Sequence, residues 1–474
     1  MTITAMPTGL YIGGAWRDAG DGATVEVENP ATGEVLASVA DATVADGDAA
    51  LAAAHDAQAG WAAVSPRARG EILRATFELL TDRYEHFASL MTAEMGKPLG
   101  EARGEVGYGA EFFRWFAEEA VRVGGSWSVA PDGGSRLLTM RRPVGPALLI
   151  TPWNFPLAMG ARKIAAAVAA GCTMVVKPAT QTPLTMLALA GLMHEAGLPA
   201  GVLNVVTTTR TAAVVEPLVR DPRLRKLSFT GSTPVGRLLV EQSAEQLLRV
   251  SMELGGNAPF LVFADADLDA AVDGAMIAKM RNMGQACTAA NRFLVHESVA
   301  AEFTERFTAR MAAQRLGVDF GPLIDGAARA KVAGLVDDAV RRGARVLCGG
   351  GPVGGAGYYF APTVLTDIPA GAELARQEIF GPVAPISTFR TEAEALARAN
   401  DTEYGLAAYV YTRDLARTVR VGEALEAGMV GVNQGVVSNP AAPFGGIKAS
   451  GFGREGGAEG IGEYLETRYL GIAA

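Results

Sequence analysis

Residues 147–177 read ALLITPWNFPLAMGARKIAAAVAAGCTMVVK. A short apolar run (ALLI) is followed by a proline-framed turn, an Ala-rich stretch with helical spacing, a Gly stop, and a second short apolar run ending at Lys177. Strand, helix, strand at this spacing is a βαβ unit, which predicts parallel pairing through a helical crossover. The alternation continues downstream with PLTMLALAGLMHEAG, GVLNVVT, AAVVEPLV, LRKLSFTG and PVGRLLVEQSAEQL. The chain is therefore predicted to build a doubly wound parallel α/β sheet, a fold in which ligands bind beyond the carboxyl ends of the strands.

After Glu253 a second series begins: APFLVF, DLDAAVDGAMIAKM, RFLVH, AAEFTERFTARMAAQ, ARVLCGG, APTVL, PVAPISTF, LAAYVYT and GMVGVN. It predicts a second α/β lobe. Before residue 147 the chain opens with strand-like YIGGAW, ATVEVENP and EVLASVA, then Ala-rich amphipathic helices from about Val44 to Val123. Residues 126–142, around the PDGG turn, and the tail GEYLETRYLGI fit neither lobe and read as edge strands offered to another surface. The division is thus 1–124 with 144–253, then 254–456, with 125–143 and 457–474 as an appended β element.

At 474 residues with 49% hydrophobic and 20% charged side chains, the composition is that of an ordinary globular protein of two or three domains. Lys and Arg number 42 against 51 Asp and Glu, a net charge of −9, and the basic residues are scattered. That pattern excludes a phosphate-backbone-binding surface, so no nucleic acid partner is expected. Three cysteines (Cys172, Cys287, Cys348) and four dispersed histidines (His55, His86, His194, His296) make neither a disulfide framework nor a metal box. The opening MTITAMPTGLYIGG lacks the basic and apolar regions of a secretory leader, and 164–176 is too short to cross a membrane. A cytoplasmic protein without a structural metal is expected.

Four elements could carry chemistry. Cys287, in NMGQACTAANRF, has polar and Gly-rich neighbours, with Gly284 loosening the backbone before it; it stands like a nucleophile, although a lone cysteine also serves as apolar filler. Cys172 and Cys348 sit in apolar strand patterns. Glu253 closes the strand LLRVSMELGGN at its carboxyl end, where a partly apolar pocket raises a carboxyl toward the range of a general base; a solvated loop acid is the alternative. Asn154, framed by Pro152 and Pro156, offers an amide to a developing oxyanion or is simply a turn residue. In KLSFTGSTPVG, Gly231 and Ser232 precede a helix whose free N–H groups can receive a pyrophosphate, though the spacing matches neither standard phosphate loop.

In order along the chain, TPWNFP, VVKPA, FTGSTPVG, MELGGN, GQAC, EIFGPV and PFGGIKASGFGRE resemble the aldehyde dehydrogenase superfamily, over nearly the whole sequence. The resemblance implies that fold: 1–124 with 144–253 binds dinucleotide, 254–456 is catalytic, and 125–143 with 457–474 joins a homodimer or homotetramer. It implies that Cys287 attacks an aldehyde, Asn154 holds the oxyanion, a nicotinamide accepts hydride, and Glu253 activates water against the thioester. On the cofactor side it implies Trp153, Lys177, Thr180, Gly231, Ser232, Leu254, Glu378 and Phe380. A second Cys two residues after the nucleophile, found in some members, is replaced by Ala289, so a disulfide switch there is not expected.

Within the superfamily, VSNPAAPFGGIKASGFGREGG and EGIGEYLETRYL resemble the group that oxidises succinate semialdehyde. Arg162, Arg281 and Ser438 match that group's contacts to the substrate carboxylate, which forked guanidinium donors suit. Glutarate semialdehyde, one methylene longer, is the neighbouring possibility, because one methylene discriminates by only ~1–3 kcal/mol. NAD-preferring members commonly carry Glu three residues after the strand lysine; Thr180 stands there instead, leaving no carboxylate to repel a 2′-phosphate. The expected cofactor is NADP, with NAD as the alternative.

Overall fold

The computed structural model describes residues 7–473. Residues 1–6, part of the stretch read as lacking a leader, and residue 474 lie outside the described residues. The first sheet has eight strands in the order 15–17, 10–12, 203–205, 174–177, 147–150, 226–230, 249–253, 451–452. The five strands from 203–205 to 249–253 are parallel. Among them the order by sequence is third, second, first, fourth, fifth, so the winding reverses between Ala147–Ile150 and Lys226–Thr230. A crevice opens past the ends of two such strands because their crossover helices leave to opposite faces. The loops that leave them carry TPWN and GST.

Helix Ala158–Ala170 is buried on every side, which explains its Ala-rich sequence: small side chains let it lie between the sheet and the helices Pro66–Asp82 and Leu99–Glu119. It ends at Gly171 in the left-handed region (φ 91°). Cys172 follows in the turn, not inside a strand as its apolar context suggested, and is fully buried.

The second sheet has seven strands in the order 345–348, 363–366, 383–389, 290–296, 258–262, 407–411, 429–432. All pair in parallel except the edge strand Arg345–Cys348. Helices Gly326–Arg341, Glu392–Asn400 and Leu415–Ala424, missing from the strand-dominated reading of this half, belong to the same lobe. Each starts at a side-chain cap, Asp325, Thr391 and Asp414, a signal present in the sequence.

Residues 126–129, 135–143 and 465–473 form a separate three-stranded antiparallel sheet, in which Leu465–Ala473 pairs along the whole of Ser135–Pro143. Two details depart from division by sequence range. Strand Gly451–Phe452, numbered with the second lobe, hydrogen-bonds to Met252 and Glu253 of the first sheet. Glu459–Gly462, inside the range 457–474 given to the appended β element, is a helical turn packed on helix Ala158–Ala170. Among the described residues no helix is long and apolar enough to cross a membrane.

Only residues 254–257 separate the first sheet from the second, so the carboxyl edge of one faces the amino edge of the other. The loops before strands Ala290–His296 and Val383–Phe389 therefore turn toward the crevice. The first of them is sharply wound: Asn282 (φ 53°), Met283 (φ 55°) and Gly284 (φ 73°) are all left-handed. Gly284 does not loosen this turn but permits it, since a Cβ there would run into the carbonyl of Gly381.

Candidate active site

The crevice is a cleft of about 250 Å³ whose walls include Trp153 and Asn154 from one switch-point loop and Gly231 and Ser232 from the other. Leu254 adds to the wall from the end of the fifth parallel strand, and Cys287, Glu378 and Phe380 come from the amino edge of the second sheet. Eight of the residues named from sequence thus meet in one cleft. Trp153 and Phe380 meet edge to face across it, with ring centroids 5.4 Å apart.

Asn154 is gripped at both ends of its peptide and side chain. Its carbonyl accepts from Lys97 Nζ and from Asn282 Nδ2, each at 2.9 Å. Its Nδ2 donates to the carbonyl of Gln285 at 3.0 Å, which fixes which way the amide faces. An amide nitrogen has two protons, so one remains for an oxygen beside Cys287. The chain between Asn282 and Cys287 is tied down in turn by Gln285, whose Oε1 accepts from Ile324 N at 2.9 Å.

Cys287 is half-buried, and burial pushes its thiol up to about 12; Glu378 and Glu253 push the same way, while Arg162 and Arg281 pull it down. The free thiol is therefore neutral near pH 7 and needs a proton acceptor to become nucleophilic. Glu253 is buried and neither carboxyl oxygen has a hydrogen-bond partner. Burial first, then the charge of Glu455, hold its carboxyl well above the usual range, against the pull of Arg162, Lys163 and Arg454. A desolvated carboxyl of raised pKa is what a general base near neutrality requires.

Beyond Cys287 lies a cationic chamber. Arg162 is fully buried, paired to Glu455 and stacked 4.4 Å over the Phe444 ring, while its Nη1 and Nη2 have no hydrogen-bond partner. One edge of this guanidinium is thus paired with Glu455, while the buried Nη1 and Nη2 have the Tyr108 hydroxyl as a neighbour and no carboxylate. Arg281 lies over Phe155 at 4.9 Å and Tyr108 at 5.7 Å, and no carboxylate among the described residues is within ion-pair distance of it. Tyr108 brings its hydroxyl against Ser438 and Arg162. Tyr108 was not found from sequence, because it sits mid-helix in Leu99–Glu119 with no motif around it; only the fold carries it to this chamber.

Lys177 and Thr180 lie off the cleft wall, past the strand Met174–Lys177. Burial draws the Lys177 ammonium down to about 8, with Asp41 opposing. The Thr180 hydroxyl donates to the carbonyl of Thr208 at 3.0 Å, so its proton is already used, and what it leaves at this position is an uncharged side chain. The cleft fits a dinucleotide on several counts. Helix Thr233–Ser243 starts at Ser232 without a side-chain cap, leaving its first N–H groups to a ligand, and Thr230 Oγ1 is buried without a partner. Glu378 receives Gly256 N at 3.1 Å on one oxygen, and burial raises its carboxyl to about 7. No cluster of three metal-ligating side chains occurs among the described residues.

Residues 16–470 match the model of the aldehyde dehydrogenase family. The chain belongs to that family. It is 60% identical to a succinate-semialdehyde dehydrogenase of Paenarthrobacter nicotinovorans, over 93% of this chain and 99% of that protein. It is 51% identical to a glutarate-semialdehyde dehydrogenase of Pseudomonas putida, over 98% of this chain and 97% of that one. A crystal structure of an NADP dependent enzyme of E. coli superposes with a TM-score of 0.97 at 50% identity, covering 99% of this chain and 98% of that chain. As a family member the protein is an NAD(P)-dependent oxidoreductase acting on aldehydes.

The buried thiol sets a pH test. Since only the thiolate is alkylated and burial raises its pKa, the rate of Cys287 modification by iodoacetamide should climb by close to ~10-fold per pH unit from pH 7 to 10, without levelling. The measurement is the pseudo-first-order rate of loss of activity at each pH. A plateau below pH 8 would show instead that the chamber's arginines hold the thiolate.

Proposed function

We propose that the protein oxidises succinate semialdehyde to succinate with NADP as the preferred acceptor. The observation that carries this reading is the grouping beside Cys287 of Arg162, whose Nη1 and Nη2 have no hydrogen-bond partner, and Arg281, which has no ion-pair partner, over the rings of Phe444, Phe155 and Tyr108, with the Tyr108 hydroxyl against Ser438 and Arg162. Such a chamber suits an anion whose other end is an uncharged carbonyl. The P. nicotinovorans relative, named for succinate semialdehyde, supports the choice; the P. putida relative makes glutarate semialdehyde the comparison substrate.

The chemistry then follows from the side chains. Glu253 takes the Cys287 proton as the sulfur adds to the aldehyde carbon, and the resulting oxyanion is met by the Asn154 amide and the Cys287 backbone N–H. A nicotinamide dinucleotide bound at Trp153, Gly231, Ser232, Leu254, Glu378 and Phe380 supplies the two-electron acceptor. Glu253 passes the Cys287 proton on to solvent and then draws one from water, whose oxygen attacks the thioester carbon; the departing Cys287 sulfur takes this proton back as the thiol, and the product acid ionises to the carboxylate. Arg281 and Arg162 hold the distal carboxylate throughout, so binding energy remote from the reacting carbon fixes its approach. The NADP preference rests on Thr180 being neutral and on the buried Lys177 ammonium, whose charge a nearby 2′-phosphate would favour. The three free cysteines fit a reducing, cytoplasmic setting. The three-stranded sheet, with Trp127 60% and Tyr469 59% exposed, is our candidate for the surface of a homodimer or homotetramer.

Three outcomes test these assignments. Arg281→Ala should lower kcat/KM for succinate semialdehyde about 10²-fold, the equivalent of ~2–3 kcal/mol for a charge-assisted pair, while an uncharged aldehyde loses much less. Equal losses on both would make Arg281 structural. In absorbance assays at 340 nm, kcat/KM should be higher with NADP than with NAD, and Thr180→Glu should reverse the ratio. An NAD preference in the unmodified enzyme overturns the cofactor assignment. Finally, Trp127→Glu should reduce the mass seen by sedimentation equilibrium; an unchanged assembly would place the interface elsewhere.

A further inference from the structure

Lys97 makes no wall of the cleft, yet its side chain is 1% exposed and reaches the turn that carries Asn154. Its ammonium donates to the Asn154 carbonyl at 2.9 Å, pairs with Glu105, and lies 4.2 Å over the Phe155 ring. The other oxygen of Glu105 accepts from the backbone N–H groups of Leu157 and Ala158, at 3.0 and 3.1 Å. One buried ion pair therefore grips residues 154, 155, 157 and 158, the whole turn between the first parallel strand and its helix.

The far side of Lys97 is anchored as firmly. Gly96, left-handed at φ 84°, ends helix Tyr84–Met95, and a Cβ on it would press into Pro322. The Pro322 carbonyl accepts from Gln285 Nε2 at 3.3 Å, and the Gln285 carbonyl accepts from Asn154 Nδ2. The contacts close a ring, from Lys97 through the Asn154 backbone and amide, Gln285 and Pro322, back to Gly96. An ion pair buried this deeply adds little net stability over an apolar pair of the same size, because desolvation offsets the attraction. Its value must lie in where it puts its neighbours.

We propose that Lys97 and Glu105 are positioning residues that hold the Asn154 amide where the oxyanion forms, and so act on the addition step rather than on folding or cofactor binding. The proposal rests on the reading of Asn154 as the oxyanion donor. Neither residue touches substrate; each acts through the turn. Oxyanion donors count only when placed within hydrogen-bond range of the charge as it develops, so a small shift of the turn reaches the rate without reaching the ground state.

The test separates addition from access to the thiol. In rapid mixing with NADP and aldehyde, Lys97→Met should slow the burst of reduced cofactor about 10²-fold, the loss typical of removing one oxyanion donor. The KM for the dinucleotide and the rate of Cys287 alkylation by iodoacetamide should stay within about twofold, since alkylation develops no oxyanion. Asn154→Ala should slow the burst at least as much, and Asn154→Ala with Lys97→Met should be no slower than Asn154→Ala alone. A burst unaffected in Asn154→Ala sinks the oxyanion reading itself; a burst slowed in Asn154→Ala but not in Lys97→Met sinks only the positioning role. Additive losses, or alkylation slowed in step with the burst, would mark Lys97 as structural. If Lys97→Met does not fold, Glu105→Gln, which keeps an acceptor for Leu157 and Ala158, should show the same split, and its absence overturns the proposal.

Discussion

Four residues, 254–257, join the last parallel strand of one sheet to the first strand of the other. A linker of that length spans at most ~14 Å even when extended, so the second sheet has to start where the first one ends. Every feature of the site follows from that short tether. The switch-point loops of the first sheet have nowhere to open except toward the amino edge of the second. Cys287 and Glu378, which precede strands in sequence, therefore meet Asn154 and Ser232, which follow them.

The same enclosure sets the electrostatics. Glu253, Arg162, Lys163 and Glu455 are all buried together near Cys287, and their charges oppose and support one another at short range. Burial pushes the Glu455 carboxyl up, but Arg162 and Lys163 more than offset it and hold it below the usual carboxylate range. Glu253, which keeps no hydrogen-bond partner, is left with the raised pKa. Two carboxyls in one enclosure are thus driven apart: one stays ionised to hold the arginine, and the other is free to accept a proton. Glu455 pairs with Arg162 through Nε and leaves its Nη1 and Nη2 without a hydrogen-bond partner.

Two consecutive strained residues lie just before Cys287. Asn282 and Met283 adopt left-handed backbone that side chains other than glycine avoid, at a cost of roughly 1–2 kcal/mol each. Glu101 receives Asn282 N, and Asn282 Nδ2 bridges the carbonyls of Asn154 and Gln285. Packing from the first lobe thus holds a turn of the second lobe in shape, and the two halves of the site are set by one set of hydrogen bonds.

The sequence alone determined the strand–helix alternation, both parallel sheets and the identity of the groups around the cleft. Those properties are local: period, turn residues and short motifs such as MELGGN, GQAC and TPWNFP are carried by neighbours in the chain. It misplaced strand Gly451–Phe452, because a two-residue edge strand has no pattern of its own and exists only where Glu253 offers it a partner. It could not show that Arg162 and Thr180 are already engaged, because the ion pair with Glu455 and the bond to the Thr208 carbonyl join residues far apart in sequence. Tyr108, Lys97 and Glu105 were invisible for the same reason: the partners that tie them to the site, Arg162 and Ser438, Asn154, and Leu157 and Ala158, are 50 or more residues away. The tertiary structure decided which side chains are spent and which are free, since desolvation and hydrogen-bond partners depend on what the fold brings within a few ångströms.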